Sequence, residues 1–113
     1  MKRWKFSIDN DKLIELVLLG KKTATSSIYD KKELPMVGEE TIICFSDGKD
    51  ACVVKTIDYK ILKFNEMTEE IVRLEGEGDL SLDCWKDIHY KFFKTYDSNF
   101  NDETLIVFEI FEL

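Results

Sequence analysis

Residues that bind metals, form cross-links or break secondary structure are scarce in this chain. Pro35 is the only proline, His89 is the only histidine, and three cysteines occur without any pair at Cys-x-x-Cys spacing. One histidine and scattered cysteines do not supply a zinc or redox site, and an odd cysteine count does not indicate a disulfide framework. We therefore expect a reducing compartment and neither a metal nor a cofactor.

The chain also lacks a long apolar run and an excess of basic charge. No run approaches the roughly 20 residues that span a bilayer, and no apolar signal segment follows the basic start at Lys2 and Arg3. A cytoplasmic protein without membrane contact is expected. The formal net charge of −7 argues against binding of nucleic acid through overall electrostatic attraction. Lysines nevertheless cluster locally between residues 21 and 32.

Apolar residues are abundant enough for a real core. The chain is 44% hydrophobic and 12% aromatic, which suits one domain over residues 1–113. Hydrophobic spacing, capping residues and turn residues predict the following elements. They are a helix capped by Asp9 or Asn10 and ending near Leu19, a loop entering a short strand at Lys21–Ser27, strands at Thr41–Phe45 and Ala51–Ile57 (an extension to Lys63 left open), a short helix capped by Thr68, a longer helix from Ser81 to about Tyr96, and a strand at Leu105–Leu113.

This element order predicts an α+β fold. Hairpin strands, short helices between them and a closing strand favour a mainly antiparallel sheet that curls into a partial β-barrel, flanked by short helices.

The first segment whose residues could carry out a reaction is Gly20-x-Lys22-x-x-Thr25. A lysine three residues from a threonine can place an ammonium beside a hydroxyl and stabilise the alkoxide formed when the threonine attacks a carbonyl. A neutral lysine could instead take the threonine proton. The ordinary interpretation is a solvated loop.

The second segment is Glu-Gly-Glu-Gly-Asp at residues 75–79. Its glycines allow a close backbone approach to a ligand, and one carboxylate could act as a general acid or base. Three close carboxylates would also suit a divalent ion through oxygen ligands, but the spacing does not match an EF-hand loop. The ordinary interpretation is an acidic turn in which Asp79 or Ser81 caps the next helix.

The aromatic residues are expected mainly in the core. Trp85 and His89 belong to an apolar helix stripe, so a structural histidine is the favoured interpretation. Trp4 and Tyr29 could either pack or stack on a base.

Taken together, these segments resemble the ASCH domain family. The similar residues are Gly20–Ser27, then Gly38, then Leu74–Leu82, then Trp85-x-x-x-His89 and Phe92-Phe93, and they run through nearly the whole chain in order. The resemblance implies a PUA-like fold with a cleft between barrel and helices, and a function related to RNA.

One ASCH branch, of short bacterial proteins, looks like an amidohydrolase that removes the acetyl group from 4-acetylcytidine. Its lysine, threonine and glutamate fall on Lys22, Thr25 and Glu75, and the choice of Glu75 over Glu77 rests on this resemblance. That branch has an arginine soon after its threonine, which this chain lacks. Further ligand contacts are expected from Lys21, Ser26, Tyr29 and Glu77.

The leading hypothesis is hydrolysis of an acylated nucleoside, with Thr25 as nucleophile, Lys22 as activator and oxyanion stabiliser, and Glu75 as acid/base. One alternative is an RNA or modified-nucleotide binding module without catalysis. Another is a lysine-dependent, metal-independent ribonuclease, because a second ASCH branch is similar to such an enzyme. The expected partner is a nucleoside or short RNA in a pocket. The residues identify no protein partner and leave monomer and homodimer open.

Overall fold

The computed structural model describes residues 1–77 and 80–113, and all the elements named below lie within those two ranges. Gly78 and Asp79, and with them the predicted capping role of Asp79, lie outside this part. The elements are β1 (Arg3–Trp4), α1 (Asn10–Leu18), β2 (Ala24–Ile28), β3 (Glu40–Cys44), β4 (Asp50–Lys63), a 3-10 turn (Phe64–Glu66), α2 (Glu69–Val72), a second 3-10 turn (Arg73–Glu75), α3 (Leu82–Tyr96) and β5 (Leu105–Glu112).

The strands form one sheet in the order β1-β3-β4-β5-β2, with β1 parallel to β3 and all other neighbours antiparallel. The long strand β4 pairs first with β3 and then, from Lys55 onward, with β5. A bulge between Thr56 and Asp58 lies at this change of partner, where it bends the strand and curls the sheet. No pairing among the described residues joins the edge strands β1 and β2. The predicted α+β fold with a mainly antiparallel partial barrel is therefore confirmed.

Two apolar clusters hold the helices against the sheet. The cluster under α2 and α3 is built around Phe64, Trp85 and Phe93, and burying aromatic rings of this size is a main source of folding free energy. The second cluster packs Ile14 and Val17 of α1 against the sheet. Strand β5 serves both clusters, because alternate side chains point to opposite faces.

Polar residues replace apolar ones along the sheet face that α1 covers. Under α1 this face carries Ile43, Val54 and Phe111. Two residues further along the same strands, and therefore on the same face, it carries polar side chains. These are Thr41 on β3, Thr56 on β4 and Glu109 on β5. We call them, with Thr25 on β2, the polar floor.

The helix starts follow local capping chemistry in two cases out of three. The Ser81 hydroxyl accepts from the Cys84 amide and the Thr68 hydroxyl from the Ile71 amide, as predicted. The predicted side-chain cap of α1 is wrong: Asp9 makes no capping hydrogen bond. The Asn10 side chain instead accepts from the Phe6 amide and donates to the Cys44 carbonyl, which ties the N-terminal segment to β3. Within the described chain, no helix combines the length and apolar character needed to cross a membrane.

Candidate active site

A cavity of about 550 Å³ opens between the N-terminal segment, the polar floor and α3. This volume lies in the range of roughly 300–1,000 Å³ that is usual for small-molecule sites. Its lining brings together residues that are far apart in sequence: Lys22, Thr25, Ser26, Glu75, Glu77 and His89. Neither Lys21 nor Tyr29 is among the described residues that line the cavity, so a ligand contact from either stays a prediction.

Backbone contacts bring the start of β2 against the turn Arg73–Glu75. The Thr23 amide donates to the Leu74 carbonyl at 2.7 Å, and the Thr23 hydroxyl donates to the same oxygen at 3.1 Å. Gly76 follows at φ +66°, and a Cβ there would lie 2.0 Å from the carbonyl oxygen of Lys21. Only glycine fits this close approach, which sets Glu75 beside Lys22.

Lys22 is a buried cation with only 1% of its side chain exposed. Its Nζ donates to Glu77 Oε2 at 2.5 Å and to the Glu75 backbone carbonyl at 3.4 Å, and it lies 3.6 Å from Glu75 Oε1. The ring of Phe6, 5.2 Å away, covers it on another side. Because so little of this side chain is exposed to solvent, the field of the ammonium is weakly screened, so it can stabilise negative charge that develops nearby.

Glu75 is equally buried and its two oxygens differ in their partners. Oε2 accepts from Ser26 Oγ at 2.6 Å and from Trp85 Nε1 at 2.8 Å, while Oε1 faces Lys22 Nζ. Burial raises the pKa of the Glu75 carboxyl, and the charges of Lys22 and His89 and the Ser26 hydrogen bond offset this only in part. A glutamic acid with a raised pKa is suited to donate a proton near neutral pH.

His89 contributes more than packing to the cavity. Its ring stacks on Trp85, with centroids 4.4 Å apart, and its Nδ1 lies 2.9 Å from the Trp85 carbonyl. A carbonyl only accepts, so Nδ1 carries the proton and Nε2 faces Glu75 Oε1 at 3.6 Å. The aromatic helix stripe predicted the burial of His89 but not this contact, which depends on where the turn Arg73–Glu75 packs.

A divalent cation could be held by Glu75, Glu77 and His89. One ligand atom from each lies within 4.8 Å of the others, and carboxylate oxygens with an imidazole nitrogen suit several divalent metals. The Lys22 ammonium already contacts both carboxylates. A metal ion at this place would have to displace it.

The polar floor forms the opposite wall of the cavity. Thr56 Oγ1 donates to Glu109 Oε2 at 2.6 Å, and Thr25 stands directly opposite Glu109 in the pairing of β2 with β5. Burial raises the pKa of the Glu109 carboxyl, and the Thr56 hydrogen bond offsets part of that rise. Sequence reasoning missed Glu109 and Thr56; the available signal was a charge in the middle of the apolar strand Leu105–Glu112.

Comparison with known proteins agrees with this architecture. The family model described as ASCH domain matches residues 2–113. The structure is similar to that of an ASCH domain from Lactobacillus crispatus JV V101, with 28% sequence identity, a TM-score of 0.91, and coverage of 98% of this chain and 77% of that one. It is also similar to a protein from Enterococcus faecalis V583, with 28% identity, a TM-score of 0.88, and coverage of 100% and 76%. No protein with a curated description matches the chain.

Proposed function

This chain belongs to the ASCH domain family, and from that premise and the cavity geometry we propose that it hydrolyses the acyl-amide bond of an acylated nucleoside such as 4-acetylcytidine. One observation carries the proposal. The Lys22 ammonium is buried against Glu75 and Glu77 in a cavity that the Thr25 hydroxyl also lines. A preorganised cation that is shielded from solvent is a usual means of stabilising an oxyanion.

The reaction proceeds in two halves. Thr25 gives its hydroxyl proton to a general base as Oγ attacks the acetyl carbon, and Lys22 stabilises the oxyanion that forms. Protonated Glu75 then gives its proton to the exocyclic amine as the C–N bond breaks, which leaves an acetyl ester on Thr25 and free cytidine. In the second half, water attacks the ester, the Glu75 carboxylate takes one water proton, and acetic acid leaves as Thr25 takes its proton back from the general base.

The charge of the cavity favours an uncharged nucleoside over a phosphate-bearing ligand. The lining contains more acidic residues than lysines, with a formal excess of two negative charges, or of one when Glu75 carries the proton that the mechanism requires. The lysines are Lys2, Lys5, Lys12 and Lys22, and the acidic residues are Asp9, Glu33, Glu39, Glu75, Glu77 and Glu109. Proteins that bind RNA backbones usually present a basic surface. The RNA-binding and ribonuclease alternatives therefore have less electrostatic support than nucleoside hydrolysis.

The test is incubation of the purified protein with 4-acetylcytidine, with chromatography to follow the conversion to cytidine. Lys22→Ala is expected to lower kcat about 100- to 1,000-fold, the usual effect of removing an oxyanion stabiliser. Lys60→Ala is the matched control, because Lys60 is an exposed lysine on β4 away from the cavity. Thermal unfolding confirms that each variant is folded. Full activity in Lys22→Ala would contradict the mechanism.

The same assay decides between the two candidate acids. Glu75→Gln is expected to reduce kcat about 100-fold or more, as for loss of a general acid, while Glu77→Gln loosens Lys22 and has a smaller effect. A larger loss of kcat in Glu77→Gln than in Glu75→Gln would assign the role of proton donor to Glu77. If the folded wild type converts no 4-acetylcytidine, salt-dependent RNA binding would favour the binding module and cleavage of labelled RNA would favour the ribonuclease.

A further inference from the structure

Attack by Thr25 requires a group that accepts its proton, and the residues around Lys22 do not provide one. Lys22 Nζ donates to Glu77 and to the Glu75 carbonyl, and the hydrolysis proposed above uses its charged form to stabilise the oxyanion, so a different group has to take the Thr25 proton. Glu75 accepts from Ser26, the neighbour of Thr25 on β2. Successive side chains of a strand point to opposite faces, so the Thr25 side chain leaves β2 on the face opposite to the Ser26–Glu75 hydrogen bond, although all three residues line the cavity.

The face that Thr25 occupies carries another carboxylate. Thr25 and Glu109 are directly opposite each other in the antiparallel pairing of β2 and β5, and both side chains line the cavity. Directly opposed residues share a face, with Cβ atoms roughly 4.5–5.5 Å apart. A glutamate at that separation can reach a threonine hydroxyl.

The hydrogen bonds around Glu109 leave it free for this contact. Oε2 is fixed by the Thr56 hydroxyl, which holds the carboxylate on the cavity wall, and within the part of the chain that the structure describes Oε1 accepts no hydrogen bond. The charged groups that face Glu109 are Glu39, which opposes its ionisation, and Lys2, which favours it. Among the described residues, none forms a hydrogen bond with the Thr25 hydroxyl, so its proton is not committed elsewhere.

We propose that Glu109 is the general base that accepts the Thr25 proton, a role that rests on the hydrolysis proposed above. In the first half-reaction the Thr25 O–H bond breaks, its proton moves to the Glu109 carboxylate, and the electron pair forms the new bond from Oγ to the acyl carbon. In the second half, Oγ leaves as the ester breaks and takes the proton back from Glu109. With Glu75 exchanging its proton between the leaving amine and the attacking water, both carboxyl groups return to their starting states.

Two substitutions at Glu109 separate a chemical role from a structural one. Glu109→Gln keeps the size and the acceptor for Thr56 but cannot take a proton. Glu109→Asp keeps the carboxylate but shortens the side chain. A general base predicts a loss of kcat of about 100-fold or more in Glu109→Gln, with KM little changed and partial activity in Glu109→Asp. If Glu109 is purely structural, Glu109→Gln should keep more activity than Glu109→Asp. That result would overturn the proposal. Glu112→Gln, at an exposed position on the same strand, is the matched control.

A second readout does not depend on the natural substrate. Para-nitrophenyl acetate can acetylate an activated hydroxyl, and acid quenching followed by peptide mass spectrometry locates the acetyl group. We expect acetylation of Thr25 in the wild type, at a rate that falls toward low pH as Glu109 becomes protonated, and at least tenfold slower labelling in Glu109→Gln.

The two readouts distinguish failure of this inference from failure of the proposed function. Base-dependent labelling of Thr25 without hydrolysis of 4-acetylcytidine would support Glu109 and reject the substrate. Equal labelling of Thr25 in the wild type and Glu109→Gln would reject Glu109, whatever the activity on the nucleoside. Absence of Thr25 labelling in the folded wild type would also reject it.

Discussion

Folding moves the Glu75 carboxyl group from water into a site where 1% of its side chain is exposed. Burial raises its pKa above the ordinary glutamate value of 4.5; Lys22 and His89 oppose the rise, and Glu77 adds to it. The folded state therefore holds the Glu75 proton more tightly than the unfolded chain. The stabilisation that follows is fully present below the ordinary pKa and is lost as pH rises through the folded pKa.

Glu75→Gln tests this linkage, because glutamine is neutral at every pH. We expect its free energy of unfolding to increase relative to the wild type as pH is raised from about 5 to about 9, since only the wild type acquires the buried charge. Urea denaturation at several pH values gives the difference. Glu112→Gln, which removes an exposed charge, should show no such trend. A Glu75→Gln advantage that shrinks with rising pH would contradict the raised pKa.

At the residue scale, the sequence identified the site only where a motif was local or familiar. The resemblance selected Lys22, Thr25 and Glu75, which line one cavity, although their chemical roles remain predictions. Glu109 was missed because its proposed role depends on the strand pairing that puts it opposite Thr25. That register joins residues 84 positions apart, and no local pattern specifies it.

At the scale of elements, the contact between β2 and the turn Arg73–Glu75 decides whether the site exists. Gly76 and Gly20 both have positive φ, at +66° and +76°, but only at Gly76 would a Cβ collide with the Lys21 carbonyl. Gly20→Ala should cost about 1 kcal/mol, the strain of the backbone alone. Gly76→Ala should cost at least about 2 kcal/mol more, because the turn must move away from Lys22.

Urea denaturation of both glycine variants measures this difference. Activity should differ in the same direction: Gly76→Ala should lose turnover even under conditions where it remains folded. Equal stability losses in the two variants would mean that the close approach at Gly76 is not a constraint.

Elements that carry a local signal were predicted well. Ser81 and Thr68 cap the helices that follow them, and the apolar pattern located β3 and β5 to within a residue or so. The two-residue strand β1 was missed, because Arg3–Trp4 is too short for an alternating pattern and exists through its pairing with β3. The bend of β4 at Thr56 could not be predicted from the sequence either, because it occurs where β4 changes its pairing partner from β3 to β5.

At the scale of the whole molecule, charge predicts which ligands approach the cavity. The chain carries a net charge of −7, and the cavity lining is acidic on balance. A phosphate group adds about −1.5 to −2 charges at neutral pH. Both the overall field and the lining therefore oppose a phosphorylated ligand, and this opposition weakens as salt screens it.

Comparison of 4-acetylcytidine with its 5′-monophosphate tests this prediction. At low ionic strength we expect KM for the monophosphate to be roughly tenfold higher, equivalent to about 1.4 kcal/mol. The difference should narrow as salt is added, because the repulsion is screened while contacts to the base are not. A lower KM for the monophosphate would mean that Lys2, Lys5 and Lys12 at the cavity act together on a phosphate. In that case the natural ligand would be a nucleotide within RNA.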